Sequence, residues 1–259
     1  MQMNAVRGAS IASVSLGPAP ESAPLHFLWG HGWGQDHRVF LPLAGALTRL
    51  GSHTLVDFPG FGESPRPPED WSTADYADAC AEWLATLPRA RRIWIGHSFG
   101  CRVGLQLAAR HPAAVDGLFL IAAAGLPRTR TVLEQAKMRT RVATFKFLKM
   151  LPRFGIDTSQ MTGKFGSADY RSAGAMRPIF VKVVREDLTE TARQVRCPVQ
   201  LVYGALDNET PPEIGERLAK LIPDANLTVL PRFDHYTVLT GGAHQVQHQL
   251  EQFANRLKP

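Results

Sequence analysis

A serine between glycines is the first feature of this sequence that could do chemistry. Gly96, Ser98 and Gly100 form a G-x-S-x-G pattern within RIWIGHSFGCRVGLQLA, directly after an apolar run and at the start of a helical stretch. A sharp strand-to-helix turn keeps the serine hydroxyl clear of its neighbours and admits only small residues beside it. The N–H groups at the start of the following helix favour negative charge there. The pattern predicts that Ser98 is a nucleophile, and the alternative is an ordinary βα turn matched by chance.

His235 is the best candidate for the general base that a serine nucleophile requires. It lies in the loop after a strand-like run, NLTVLP, and we therefore expect it at the carboxyl edge of a parallel sheet, together with Ser98. The other histidines considered follow a helix, lie in the last helical stretch or stand within the nucleophile turn: His111, His244, His248 and His97.

Asp207 is the best candidate for the carboxylate that orients this base. It stands in the loop after the strand-like run VQLVYG, between the serine and the histidine in chain order. Glu209, in the same loop, is the alternative acid. Asp234 is poorly placed to hold the ring of the adjacent His235, although its charge could shift the pKa of the imidazole.

A glycine-rich loop, GHGWG at 30–34, follows the first apolar run. Acyl transfer forms a tetrahedral oxyanion, which needs two backbone N–H donors. We expect these donors to be Phe99, next to the serine, and Trp33, since glycines let the loop turn towards the serine. The alternative is a turn with only a structural role. His31 is expected to be a hydrogen-bonded scaffold residue rather than a proton shuttle.

The elements that must position these residues follow from an alternation of short apolar runs and amphipathic stretches. Such alternation is typical of β-α-β units around a mostly parallel sheet. The predicted strands are 25–30, 53–58, 92–96, 117–124, 199–204 and 226–231, and the predicted helices are 73–87, 99–110, 212–221 and 245–257. The predicted fold class is therefore α/β, with a mostly parallel central sheet flanked by helices.

One segment, 126–185, breaks this alternation. It contains no convincing strand-like run, and helix-like patterning recurs around 134–149. We therefore predict a helical lid or cap at 126–185, inserted into a core domain formed by 1–125 and 186–259.

The sequence resembles the α/β-hydrolase superfamily, in its lidded esterase and acyl-hydrolase branch. The resemblance rests on HGWG at 31–34, DFPGFGES at 57–64, GHSFG at 96–100 and the loops that hold Asp207 and His235. The segment 25–40 is similar to methyl ester esterases that act on pimeloyl carrier protein. The sequence departs from the family pattern at Asp234, where glycine is usual, and at Cys101, where glycine or alanine is usual.

This resemblance implies a serine hydrolase of carboxylic esters or thioesters that works through an acyl-enzyme. Ser98 would attack, His235 and Asp207 would relay the proton, and the N–H groups of Trp33 and Phe99 would hold the oxyanion. No metal and no organic cofactor are implied. Two alternatives stay open: hydrolysis of a carbon–carbon bond in a ring-cleavage product, and a non-catalytic ligand receptor on a hydrolase scaffold.

The positive charge of the chain is concentrated in the predicted lid. The 259 residues carry a net charge of +6. Segment 126–185 has 13 lysines and arginines against 3 acidic residues, a net charge of +10, whereas the rest has 16 against 20, or −4. The lid could receive an acidic carrier protein or an anionic substrate, and the alternative is a solvated basic face. Charge is the only feature that favours nucleic acid, so we expect no nucleic-acid partner.

Composition points to an ordinary soluble enzyme, with 44% hydrophobic and 20% charged residues. No transmembrane segment and no signal peptide are recognised. The three cysteines, Cys80, Cys101 and Cys197, are widely spaced, which favours neither a disulfide framework nor a metal site. We therefore expect a cytoplasmic protein that acts on a small-molecule ester or acyl substrate.

Overall fold

The computed structural model describes residues 1–129 and 168–258, and between them only Ala136, Thr140, Ala143, Thr144 and Phe147. Within this part of the chain, one sheet is formed by β1 Gln2–Val6, β2 Ala9–Leu16, β3 His26–Gly30, β4 Ser52–Asp57, β5 Arg92–His97, β6 Gly117–Ile121, β7 Val199–Gly204 and β8 Ala225–Leu230. The strand order is β1-β2-β4-β3-β5-β6-β7-β8. Strands β1 and β2 are antiparallel to their neighbours, and the other pairs are parallel.

The ranges 1–129 and 168–258 also contain the helices that flank this sheet. They are α1 Leu41–Ala46, α2 Thr73–Ala85, α3 Phe99–Arg110, α4 Ala168–Ser172, α5 Arg177–Arg185, α6 Thr189–Gln194, α7 Pro212–Leu221 and α8 Ala243–Leu257. Helix α2 begins at a capping box, in which Ser72 and Asp75 satisfy each other's backbone N–H. The predicted fold class, a mostly parallel sheet flanked by helices, is confirmed.

The central strands are apolar throughout because both faces of the sheet are covered. In β3, Phe27 and Trp29 pack with α1 and α8, whereas Leu28 points to the other face, among residues of α2 and α3. All three side chains are fully buried. Covered parallel strands bury side chains of both alternating positions, which explains the continuous apolar runs in the sequence.

An N-terminal hairpin is the part of the sheet that the sequence pattern does not predict. Strands β1 and β2 pair with Val6 opposite Ala9, so their loop has only two residues, Arg7 and Gly8. Both loop residues have positive φ, 45° and 73°, as the type I′ hairpin turn requires. The hairpin extends the parallel sheet by an antiparallel edge.

The predicted lid, 126–185, falls mostly on residues outside the described part of the chain. Of the helix-like stretch at 134–149, the structure describes only Ala136, Thr140, Ala143, Thr144 and Phe147. Of the rest of the segment it describes 126–129 and 168–185, and the latter range includes α4 and α5. The division into a core of 1–125 and 186–259 with a lid at 126–185 therefore stays a prediction.

Among the described residues, no helix combines the length and the apolar character needed to cross a membrane. The thiols of Cys80, Cys101 and Cys197 are free. Cys80 and Cys101 are buried, and Cys197 is partly buried.

Candidate active site

The serine of the G-x-S-x-G pattern stands at the junction of β5 and α3. Ser98 has φ 47° and ψ −100°, a backbone conformation that costs energy for a residue with a side chain. Its N–H donates to the Ile121 carbonyl of β6 at 3.1 Å, which holds the turn against the neighbouring strand. The sharp turn predicted from the sequence is therefore present, and strain of this kind clusters at functional sites.

The glycines on either side of Ser98 are required by close backbone contacts. A Cβ on Gly96 would lie 2.7 Å from the backbone nitrogen of Cys101. A Cβ on Gly100 would collide with the carbonyl oxygen of Gly30 and lie 2.6 Å from its carbonyl carbon. The first turn of α3 consequently packs directly on the end of β3, where the GHGWG loop begins.

His235 and Asp207 are brought together by the loops that follow β8 and β7. The two atoms His235 Nδ1 and Asp207 Oδ2 are 2.8 Å apart, and both side chains are nearly inaccessible to solvent. In the tautomer that this contact implies, Nδ1–H donates to the carboxylate and Nε2 is free to accept a proton. This is the arrangement that a general base and an orienting acid would require.

Thr210 completes the pair, and the sequence reading did not include it. Its Oγ1 lies 2.9 Å from Asp207 Oδ2 and 3.1 Å from His235 Nδ1. The other carboxylate oxygen, Asp207 Oδ1, accepts from the backbone N–H of Glu209 and Thr210, both at 2.8 Å. A threonine three residues after an aspartate in a loop carries no distinctive sequence signal, so this contact needed the structure.

The carboxyl group of Asp207 is held in its charged form. Burial by itself would raise its pKa, but the hydrogen bond and charge of His235, together with the bonds from Thr210, lower the pKa below the ordinary value. Asp207 is therefore an anion over the whole neutral range. An anion in this position stabilises an imidazolium if His235 takes a proton.

Glu209, the alternative acid, and Asp234, the poorly placed one, occupy different positions from Asp207. Glu209 Oε2 lies 3.7 Å from His235 Nε2, on the opposite side of the ring, and half of its side chain is exposed. Asp234 Oδ1 accepts from the backbone N–H of Tyr236 and Thr237 and from the Thr237 hydroxyl, at 2.8 to 3.0 Å. Asp234 therefore closes its own turn, whereas Glu209 faces the nitrogen that would exchange protons.

His97 lies between the loops of the site but does not line the cavity described below. Its Nε2 is 3.0 Å from the backbone oxygen of His235, and its Nδ1 is 3.1 Å from Oε1 of Gln35, which in turn accepts from the N–H of Gly32. Burial and, after it, the charge of the nearby His235 lower the pKa of His97 to about 3, although the hydrogen bond to the His235 backbone oxygen and the charge of Asp207 oppose them. The ring is therefore neutral, so it donates to only one of the two oxygens beside its nitrogens, and it packs between the base loop and the GHGWG loop.

Within the GHGWG loop, Trp33 lines the cavity described below, and His31 supports the loop. Trp33 packs against Phe99, with ring centroids 5.6 Å apart, and against Phe180 of α5, at 5.0 Å. His31 is fully buried: its Nε2 accepts from Phe58 N–H at 3.0 Å, and its Nδ1 is 2.7 Å from the Gly32 oxygen. Burial lowers the pKa of His31 to about 4, which fits a neutral scaffold residue.

A cavity of about 600 Å³ opens over these residues. Ser98, His235, Trp33 and Phe99 all line it, so four of the five predicted site residues share one space, and Asp207 lies directly behind His235. Other walls come from the segment after β6 and from α5, including Leu126, Val183 and Phe180. The cavity has the size of a small-molecule site.

One cluster of metal-ligand side chains occurs within the described residues: Asp36, His37 and Asp57. Its donor atoms already bond one another, because Asp57 Oδ1 accepts from the His37 backbone N–H at 2.6 Å and lies 2.9 Å from His37 Nδ1. Asp36 is engaged by Arg38. The cluster closes the turn that contains DFPGFGES and does not line the cavity, which fits a scaffold role better than a metal centre.

Comparison with known proteins places this fold and site in a class. Residues 27–255 match the profile of the Alpha/beta hydrolase family. The chain is 31% identical over 243 residues to the pimeloyl-[acyl-carrier protein] methyl ester esterase of Chromobacterium violaceum, covering 87% of this chain and 91% of that protein. It is 26% identical over 248 residues to the 2-(acetamidomethylene)succinate hydrolase of Mesorhizobium japonicum, covering 89% and 88%.

Solved structures agree with the sequence comparisons on the fold. A thermophilic esterase from Thermogutta terrifontis superposes with a TM-score of 0.72 at 20% identity, and each chain is covered completely. An enol-lactonase from Burkholderia xenovorans gives 0.72 at 21% identity, covering 98% of this chain and all of that one. The chain therefore belongs to the alpha/beta hydrolase family, as its motifs suggested, and it is a hydrolase.

Proposed function

We propose that this protein is a serine hydrolase that cleaves a carboxylic ester or thioester through an acyl-enzyme intermediate. The observation that carries the proposal is the buried Asp207–His235 hydrogen bond of 2.8 Å, beside a cavity that Ser98 also lines. A turn with only a structural role would not need a nucleophile, a base and an orienting acid together. Ser98 and His235 line one cavity and Asp207 lies behind His235, an arrangement that fits nucleophilic acyl transfer.

The proposed reaction has two halves. His235 Nε2 takes the Ser98 proton while Oγ bonds to the substrate carbonyl carbon, and the resulting imidazolium, paired with Asp207, returns the proton to the departing alcohol or thiol. Water then attacks the acyl-enzyme with His235 again as base, which releases the acid and frees Ser98. In both halves the oxyanion would accept from the backbone N–H groups of Trp33 and Phe99.

The relatives narrow the substrate. The esterase of Chromobacterium violaceum is named for a methyl ester of an acyl carrier protein, and we extend the ester part of that name to this chain. We therefore propose a methyl or other small alkyl ester of a small to medium acyl group as the first substrate to examine. The apolar walls of the cavity, such as Leu126 and Val183, suit an aliphatic chain.

The test is hydrolysis of p-nitrophenyl esters of increasing acyl length by the wild type and by Ser98→Ala. We expect turnover by the wild type, a preferred chain length set by the cavity, and a loss of at least about 10³-fold in kcat for the variant. Equal activity of the two proteins would overturn the assignment of Ser98.

A second assay, with a dienoate ketone as the substrate, separates the two alternatives. Hydrolysis of a dienoate ketone, without ester hydrolysis, would identify a carbon–carbon bond hydrolase that uses the same three residues. A folded wild type that is silent on both substrates would favour a ligand receptor.

A carrier protein is the partner that the basic lid suggests. Segment 126–185 has a net charge of +10, and the described α5 contributes Arg177, Lys182 and Arg185. We propose that this segment attracts an acidic carrier that presents the acyl group. Hydrolysis of a carrier-bound ester should then slow as salt rises from about 0.05 to 0.5 M, whereas hydrolysis of a neutral ester should not. Equal salt responses for both substrates would rule out docking by charge.

A further inference from the structure

Arg102 is a charged wall of the cavity that the proposed reaction does not use. It lies in α3, four residues after Ser98, and is therefore about 6 Å further along the helix axis. Helical side chains lean towards the N-terminus of their helix, which here is the end that carries Ser98. Arg102 accordingly lines the same cavity as Ser98 and His235.

The guanidinium of Arg102 has spare hydrogen-bonding capacity. Among the described residues its Nη1 donates to the backbone oxygen of Glu186 at 3.3 Å, and no carboxylate oxygen lies within 4.0 Å of its nitrogens. The carboxylate of Glu186 itself is occupied, because it accepts from the N–H of Thr73 at 2.9 Å and from the Thr73 hydroxyl. A guanidinium has five N–H donors, so most of them remain available.

The same helix shows what an arginine does here when a carboxylate is within reach. Arg110, at the far end of α3, donates twice to Asp78, both times at 2.9 Å. Arg102 is the more deeply buried of the two, and burial lowers its pKa, with the charge of Glu186 opposing that effect. A desolvated cation without a bonded anion is costly, and an anionic ligand would offset the cost.

Most charges around the cavity are segregated; the exception is Glu186, which lines the cavity near Arg102 but has its carboxylate bonded to Thr73. Glu209 lies beside His235, and Asp169 is close enough to both for their charges to affect its pKa. Arg128 and Arg185 line the cavity together with Arg102. An anionic substituent would be repelled near the reacting bond and attracted to the arginines. This layout orients an extended substrate that has an ester at one end and a negative charge at the other.

We propose that Arg102 binds a carboxylate at the far end of the acyl chain, so that the preferred substrates are monoesters of dicarboxylic acids. The inference rests on the proposed function, since it names the substrate class of the same site, and it concerns free monoesters, because an ester held by a carrier has its far carboxyl group in the bond to the carrier. A planar carboxylate matches the fork of an arginine, and two parallel N–H···O bonds can form at once. The neutral ester end then extends towards Ser98.

The test compares two substrates that differ only in charge. Monomethyl esters of glutaric, adipic and pimelic acid are assayed beside the same molecules with the free carboxylate converted to a primary amide. We expect wild-type kcat/KM to be at least tenfold higher for the carboxylate at the best length. Arg102→Gln should lower kcat/KM at least tenfold on the carboxylate and less than twofold on the amide. On the carboxylate, the kcat/KM of Arg102→Lys should lie between the values for the wild type and for Arg102→Gln.

Two controls keep the result interpretable. Arg110→Gln removes a charge from the same helix outside the cavity and should leave the ratio of the two substrates unchanged. Hydrolysis of p-nitrophenyl butyrate and thermal unfolding report whether each variant retains its site and its fold. If Arg102→Gln is misfolded, the wild-type ratio and the Arg102→Lys variant decide.

Failure of the inference and failure of the proposed function look different. If p-nitrophenyl butyrate is cleaved by the wild type but not by Ser98→Ala, the proposed function stands. If the proposed function stands but the wild type has nearly equal kcat/KM on the carboxylate and the amide, or turns over neither methyl ester, the role of Arg102 is overturned. Equal losses on both substrates in Arg102→Gln would make Arg102 only a tie between α3 and the end of α5. If the wild type cleaves no ester at all, the proposed function itself fails.

Discussion

The bond between His235 and Asp207 matters because it fixes one nitrogen of a ring that has two. With Nδ1–H donating to Asp207 Oδ2 at 2.8 Å, only Nε2 remains to exchange protons. Thr210 and two backbone N–H groups hold the carboxylate in place. The arrangement therefore determines the tautomer before a substrate arrives, and in the proposed mechanism the charge of Asp207 would stabilise the imidazolium.

Replacing Asp207 by a neutral side chain of the same size tests the role of this bond. Asp207→Asn keeps the size of the side chain but presents an amide that can stabilise the wrong tautomer. We expect kcat on p-nitrophenyl esters to fall by about 10³- to 10⁴-fold, with little change in the circular dichroism spectrum.

Glu209 supplies the matched control for that variant. It lies in the same loop, its carboxylate is 3.7 Å from His235 Nε2, and it is half exposed. Glu209→Gln should change kcat by less than about tenfold, because it leaves the Asp207 bond intact. A larger loss in Glu209→Gln than in Asp207→Asn would show that the orienting acid is Glu209.

At the scale of elements, α3 is the part that the site depends on most. Its first turn carries Ser98 at positive φ and packs on the end of β3. The indole N–H of Trp94 donates to the Gly100 oxygen at 2.9 Å, which adds a contact between β5 and the same turn. The helix must therefore approach the sheet closely at this one end, and only glycine permits it.

Gly100→Ala should consequently disturb both stability and activity. The added methyl group meets the Gly30 carbonyl, so the turn must move away from the sheet. We expect the free energy of unfolding in urea to fall by about 1–3 kcal/mol or more, together with a large drop in kcat.

Gly45 in α1 is the control, because a Cβ there would have no atom within 4 Å. Gly45→Ala should be neutral or stabilise the fold by up to about 1 kcal/mol, since alanine is the better helix former. Similar unfolding free energies for Gly100→Ala and the wild type would contradict the packing argument.

The elements around the site were predictable because their signals are strong and local. The predicted helix 99–110 coincides with α3, and the predicted strand 92–96 ends one residue before β5 does. The hairpin of β1 and β2 was missed because β2 is rich in alanine and serine, which are weak strand formers. Its Arg7-Gly8 turn also lacks the Asn-Gly pattern that signals a type I′ hairpin.

The site was predictable to the extent that it follows from chain order. Ser98, Asp207 and His235 follow three parallel strands, whose carboxyl ends lie at one edge of the sheet. Thr210 and Arg102 depend on side-chain direction, which sequence periodicity does not give. The lid boundaries, the catalytic roles and the cytoplasmic location stay predictions.

At the scale of the whole molecule, the interior contains neutral histidines. Burial is the main cause that lowers their pKa values, to about 4 for three of them and about 3 for the fourth: His26, His31, His53 and His97. An unfolded chain would protonate these rings near pH 6.5. Between that pH and about 4 the unfolded state therefore binds more protons than the folded state.

The sign of the pH dependence follows from that difference. The contribution of the four neutral histidines to the free energy of unfolding is fully present above pH 6.5. It should be lost as the pH falls towards 4, by up to about 1.4 kcal/mol per pH unit for each histidine. Urea unfolding at intervals from pH 7 to pH 4.5 measures this slope. His53→Asn should reduce it by about one proton, whereas His248→Asn, at an exposed position of α8, should not. A flat profile would contradict neutral burial of the four rings.

In the proposed mechanism Ser98 is a nucleophile that His235 activates. The most direct measurement is covalent labelling of the native protein with a fluorophosphonate, followed by mass spectrometry of its peptides. We expect one label on the peptide that contains Ser98, none on Ser98→Ala, and labelling slowed by at least about 10²-fold in His235→Ala. No label on the folded wild type, or a label on another residue, would contradict this mechanism.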